Sequence, residues 1–121
     1  MAANFKQDGN VIQYTASADV KSGDVVVIGQ TIGVALVDIA TGETGSVARK
    51  GVYTVPKVST AVIAQGESLL WDVSENAFED NAAVPATGDI SGPIAVAYEA
   101  AGNGATSLDV YFTGVPGTLN P

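Results

Sequence analysis

The groups in this sequence that could do chemistry are few, and their types set limits at once. The chain contains no histidine and no cysteine. A Ser-His-Asp triad, a thiol nucleophile and a Cys-His zinc site therefore cannot be built from this chain alone. Serine and threonine are plentiful, but a hydroxyl nucleophile needs a base and an oxyanion hole, and no Ser-x-x-Lys occurs. Asp72, Glu75, Glu79 and Asp80 fall close together in sequence. Carboxylates so placed can do acid–base work or bind calcium. The EF-hand spacing with its central glycine is absent, so a solvated turn is the preferred reading and weak calcium binding the alternative. A two-carboxylate glycosidase needs a substrate cleft that a chain this small has little room to build. The segment Gly42–Lys50 has a superficial phosphate-loop look. A P-loop needs Gly-Lys-Ser/Thr opening a helix, whereas here Lys50 precedes Gly51 among β-forming residues. These residues predict no enzyme, no cofactor, no resident metal and no small-molecule substrate.

Two further features point to binding. Arg49, Lys50 and Lys57 are three of only five basic residues, set against 13 acidic ones for a net charge of -8. They would form the one cationic spot, placed to pair with acids of a neighbouring subunit or to guard a strand edge against wrong pairing. Trp71 is the only tryptophan. A core or interface anchor is its preferred role, and sugar stacking the alternative. The acidic balance argues against nucleic-acid binding. The chain is 46% hydrophobic but only 15% charged, where about 25% is typical. Such a composition predicts surface hidden in an assembly, a homo-oligomer.

These residues need elements to position them. At 121 residues the chain is long enough for one core without a staple. Fourteen glycines and five prolines punctuate short runs rich in Val, Ile, Thr and Tyr, which is the pattern of strands. Strands are predicted near Val11–Ala16, Asp24–Ile28, Thr31–Val37, Gly45–Lys50, Val52–Val55, Ser68–Asp72, Ile94–Ala100 and Leu108–Thr113. Gly29-Gln30 reads as a hairpin turn, Ala40–Glu43 as a second turn, and Ser74–Asp80 as a turn or short hairpin around Asn76. Asn81–Pro93 reads as a loop. Lys57–Ala64 could form one or two helical turns. The near-continuous apolar runs Val25–Ile28 and Ile94–Ala97 suit strands covered on both faces or buried in an interface. The expected fold is all-β: a small single-domain barrel or sandwich of about eight short strands, with at most one short helix. Residues 1–10 are expected to be an N-terminal arm with Phe5 as its anchor, and residues 11–121 the β domain. The first residues hold no apolar stretch of signal-peptide type, and no run is long enough for a membrane helix, so no membrane partner is expected.

Several segments, in order, carry a resemblance. They are Asn4-Phe5, Gln7-Asp8-Gly9, Ser22-Gly23-Asp24-Val25-Val26-Val27, Ile32-Gly33-Val34-Ala35 and Gly51-Val52-Tyr53-Thr54-Val55-Pro56-Lys57. Ala64-Gln65-Gly66-Glu67, Leu70-Trp71-Asp72, Pro93-Ile94-Ala95-Val96-Ala97 and Leu108-Asp109-Val110-Tyr111-Phe112 follow. Across nearly its whole length the chain resembles the small phage capsid cement, or head decoration, proteins, a group once catalogued as a domain of unknown function. Some members carry a recombinase-like label, which this sequence does not support, lacking a P-loop and α/β alternation. The resemblance implies a virion structural protein, made in the host cytoplasm, that binds the outer surface of a tailed-phage head through the major capsid protein and stabilises the shell. It favours a trimer over a dimer. Phe5, Arg49, Lys50, Lys57 and Trp71 are then the candidate capsid or subunit interface. A phage-encoded β-rich module that recognises host-surface glycans through Trp71 or Tyr98 is the alternative.

Overall fold

The computed structural model describes residues 10–121. Eleven strands follow one another there: β1 (Val11–Thr15), β2 (Val25–Ile28), β3 (Thr31–Ala35), β4 (Thr44–Ala48), β5 (Lys50–Pro56), β6 (Leu70–Asp72), β7 (Ala77–Glu79), β8 (Ile90–Ser91), β9 (Ala95–Ala97), β10 (Ser107–Thr113) and β11 (Thr118–Leu119). They form three sheets, ordered β1-β4-β3-β2, β5-β10-β9 and β11-β8-β6-β7. Every pair within a sheet is antiparallel. The result is a small all-β domain with a curled, half-barrel sheet, and the described residues contain no helix.

All eight expected strands are present, within a few residues of their predicted ends. Three more, β7, β8 and β11, are each only two or three residues long, too short to leave an alternating signature. The hairpin at Gly29-Gln30 joins β2 to β3 in register Ile28–Thr31. Asn76 turns β6 into β7 and is the only described non-glycine residue with positive φ, at 53°, a conformation asparagine tolerates better than most side chains. The segment Asn81–Pro93 is not loop throughout, because Ile90 and Ser91 within it form β8, Ile90 pairing with Trp71.

The one or two helical turns expected over Lys57–Ala64 do not form. The backbone donors there have tertiary partners instead: Val58 N–H donates to Phe78 O and Ile63 N–H to Ala101 O. A stretch this short cannot hold a helix against such competition.

The main core gathers Val55, Trp71, Phe78, Ile90, Val110 and Phe112 with Ile32 and Val34 of β3. A second cluster, including Val26, Ala35, Ile39 and Val47, fills the other face of the first sheet. The β2–β3 hairpin thus has apolar side chains on both faces, which explains its unbroken hydrophobic run. Gly33 makes this possible: a Cβ there would lie 2.4 Å from Ala48 O and 2.6 Å from a Val47 methyl.

β4 and β5 are separated only by Arg49, and they belong to different sheets. One nearly continuous strand therefore passes from the first sheet to the second, bending where Gly51 takes φ 124°. Strands that switch sheets at a bend in this way make the corners of β architectures.

Candidate binding surfaces

The expected cationic spot is divided by the fold. Lys57 is only 3% exposed. Its Nζ donates to Val58 O at 2.8 Å, Ala105 O at 3.2 Å and Ser59 O at 3.3 Å. A buried ammonium is tolerated when its donors are satisfied in this way. The side chain ties the end of β5 to the segment before β10, and no partner surface can reach it in this fold. Arg49 is half-buried at the sheet corner. Its guanidinium donates to Gly114 O at 2.6 Å, and its backbone N–H donates to Asn10 O at 2.8 Å. Lys50, next to it, is exposed. Two cations at the β4–β5 corner therefore remain near the surface, where the sequence suggested three.

Trp71 is also inside. It is 2% exposed and packs edge-on against Phe78, ring centroids 4.8 Å apart; Phe78 in turn meets Phe112 at 5.9 Å. This buried aromatic chain takes Trp71 away from sugar stacking and from direct contact with a partner. Tyr98, the other residue named for stacking, is 52% exposed. Phe5 and most of the expected arm lie outside the described residues.

The acidic run divides as well. The Asp72 carboxylate accepts from Ser74 Oγ at 2.7 Å and from the backbone N–H groups of Ser74 and Glu75. The Ser74 hydroxyl, foremost, holds the Asp72 carboxyl below its ordinary range, with partial burial opposing. Glu79 moves the other way, raised by partial burial first and by the neighbouring charges of Asp72 and Asp80 next. Among the described residues no group of three or more acids is arranged to hold a metal ion.

Sequence reasoning missed two features. Asp89 is buried, and its carboxylate accepts from Val73 N–H at 3.1 Å and Ala86 N–H at 2.9 Å, clamping the loop before β8 to the β6–β7 turn. The second is the outward face of the β5-β10-β9 sheet. Val52, Tyr111 and Val96 stand in register across its three strands. Val52 is 45% and Tyr111 43% exposed. Beside them Thr54 Oγ1 bonds Asp109 Oδ1 at 2.5 Å, and Lys50 stands opposite Thr113. The signal was present in β5, where Val52, Tyr53 and Val55 put apolar residues on both faces. A cavity of about 290 Å³ lies elsewhere, lined by Leu69, Leu70, Ala83, Pro85 and Ser91 among others.

A family described as phage cement protein matches residues 6–112. No curated protein matches the chain.

Proposed function

This chain belongs to the phage cement protein family, and on that premise we propose that it binds the outer surface of a tailed-phage capsid and stabilises the assembled shell. The family match along most of the chain carries the reading. Its partner is the major capsid protein. Its charge-poor composition and the apolar row on β5, β10 and β9 support association with further copies of itself as a homo-oligomer, and only the family resemblance favours a trimer.

The physical logic is mass action. A protein that binds the closed shell, and not its separated subunits, lowers the free energy of the closed state as binding saturates. Many copies on one particle add avidity. The chemistry needed is surface burial and hydrogen bonding, and no enzymatic step enters.

Within this reading the arm, residues 1–10, docks as an extended strand on a sheet edge of the shell. Main-chain hydrogen bonds supply affinity, and Phe5 fills a pocket. Arg49, whose N–H bonds Asn10 O, and Lys50 contribute charge. Lys57 and Trp71 act from inside, holding the scaffold on which the surface is built. The protein is made in the host cytoplasm and resides on the virion.

The test mixes purified protein with capsids lacking decoration, followed by sedimentation and cryo-microscopy. Binding to assembled heads with a rise in their rupture temperature is the expected outcome. Binding to isolated glycans with none to heads would overturn it. Deleting residues 2–8 should leave folding intact and weaken head binding. Phe5→Ala alone should cost about 1–3 kcal/mol per site, as for a buried aromatic anchor.

A further inference from the structure

The edge of β5 carries more than its place in the sheet requires. Lys57 N–H donates to Thr106 O, continuing the β5–β10 register of Ser107–Pro56 and Leu108–Val55. Backbone groups in a strand alternate in direction from one residue to the next. Gly51, Tyr53 and Val55 therefore bond β10, while the N–H and C=O groups of Lys50, Val52 and Thr54 point away from the sheet. β7 covers that side only from the end of the strand onward, through the Lys57–Phe78 bridge and the Val58 N–H to Phe78 O bond. Among the described residues the open stretch is thus Lys50–Val55, ahead of Pro56. An open edge of this kind is a template for another strand.

From this edge we infer that two copies of the chain pair β5 to β5 in antiparallel fashion, about a two-fold axis at Val52. The inference goes beyond the cement reading and does not require a particular oligomer. The edge is complementary to itself. Centred on Val52, the groups of Lys50, Val52 and Thr54 in one copy meet those of Thr54, Val52 and Lys50 in the other, and all six residues are used. Pro56, which has no N–H to offer, falls outside the paired stretch. Charge also matches. Lys50 of one copy faces Thr54 of the other, whose hydroxyl is bonded to Asp109 on the adjacent strand. Lys50 makes no ion pair among the described residues, and its flexible stem rests over Gly114. Rotation of that stem brings a cation beside the other copy's carboxylate, a favourable cross-strand arrangement. The row Val96-Tyr111-Val52 then continues into its symmetry mate. Such a self-complementary contact is isologous. A stretch this short binds weakly on its own and becomes effective where copies are held close together, as on an array.

The chain has no cysteine, so introduced thiols report this contact without background. Paired strands bring opposing Cα atoms to about 5.5 Å, within disulfide range. Under mild oxidation without capsids, Val52→Cys should cross-link to itself at least tenfold faster than Val62→Cys, an exposed site elsewhere. Lys50→Cys mixed with Thr54→Cys should give the mixed dimer, while Thr54→Cys alone should not cross-link. Adding Val52→Pro to both members of the mixed pair removes an outward donor and should lower its yield at least tenfold. Cross-linking of Val52→Cys no faster than Val62→Cys, or of Thr54→Cys alone as fast as the mixed pair, overturns the inference. Either result would leave head binding untouched, so failure here is separable from failure of the cement reading.

Discussion

Replacing Lys57 by methionine tests whether this cation is structural. The substitution keeps most of the stem's volume and removes the ammonium. Three acceptors lose a donor, but they do not lose equally. Val58 O also accepts from Ala61 N–H, and Ser59 O also accepts from Gly104 N–H. Only Ala105 O has no second donor among the described residues. An unsatisfied buried acceptor costs about 1–3 kcal/mol, and burial of the cation itself no longer has to be offset. The expected net loss for Lys57→Met is therefore about 1–3 kcal/mol. Lys57→Ala also removes three buried methylenes at about 0.8 kcal/mol each, which puts it about 2 kcal/mol below Lys57→Met. At roughly 2.1 cal/mol/K of unfolding entropy per residue, 1 kcal/mol is about 4 °C for a chain of this size. Trp71, the single tryptophan and fully buried, reports unfolding in urea or heat by its fluorescence. Lys57→Met as stable as the native protein would refute the carbonyl-cage argument. So would a loss of head binding by a fully folded Lys57→Met variant, because the side chain does not reach the surface.

Gly33→Ala should lose about 1–3 kcal/mol or more by overpacking, because its Cβ would overlap Ala48 O. Gly102→Ala, whose Cβ meets nothing within 4 Å, should stay within about 0.5 kcal/mol of the native protein; urea midpoints compare the two. Asp89→Ala leaves the Val73 and Ala86 N–H groups without their acceptor and should cost about 2–4 kcal/mol, with faster amide exchange at both positions. The raised Glu79 carboxyl contributes stability that is present below its ordinary value of 4.5 and lost as pH rises through its folded value. Glu79→Gln should therefore stabilise at pH 7 by about 0.2–0.5 kcal/mol, small because water screens the site. That advantage should vanish in melts below pH 4.5.

The strand content was legible because β-branched runs between glycines and turns are a local property. Val25–Ile28 and Leu108–Thr113 needed no tertiary information to be read. β8 and β11 were not legible. Each exists only because a distant chain segment offers it a ladder, Trp71 to Ile90 and Ser91 to Thr118, and two residues carry no period. Within the candidate site one placement was misread, that of Lys57 on the surface. Arg49, Lys50 and Lys57 are close in sequence, and a charge is ordinarily placed on the surface. Lys57 comes directly after Pro56, where the chain leaves β5 and meets the turn after it. Its ammonium finds carbonyls of Val58, Ser59 and Ala105 at that crossing, an arrangement that depends on contact between residues 48 positions apart.

That misreading separates two tasks within one small chain. The polar residues buried among the described ones, Lys57 and Asp89, each hold backbone from separate segments, and both do so at loops flanking the main core. They fix the irregular connections that an all-β chain needs but cannot stabilise by ladders alone. The outward row Val52-Tyr111-Val96 and Lys50 beside it are held by regular β5–β10–β9 pairing. The surface available for binding thus rests on ladders, and the loops rest on buried charge. Substitutions in the first set should change association with little change in melting, and those in the second should do the reverse. The proposed shell-binding role calls for this independence, since a surface free to fit a shell must sit on a scaffold that resists the strain transmitted through it.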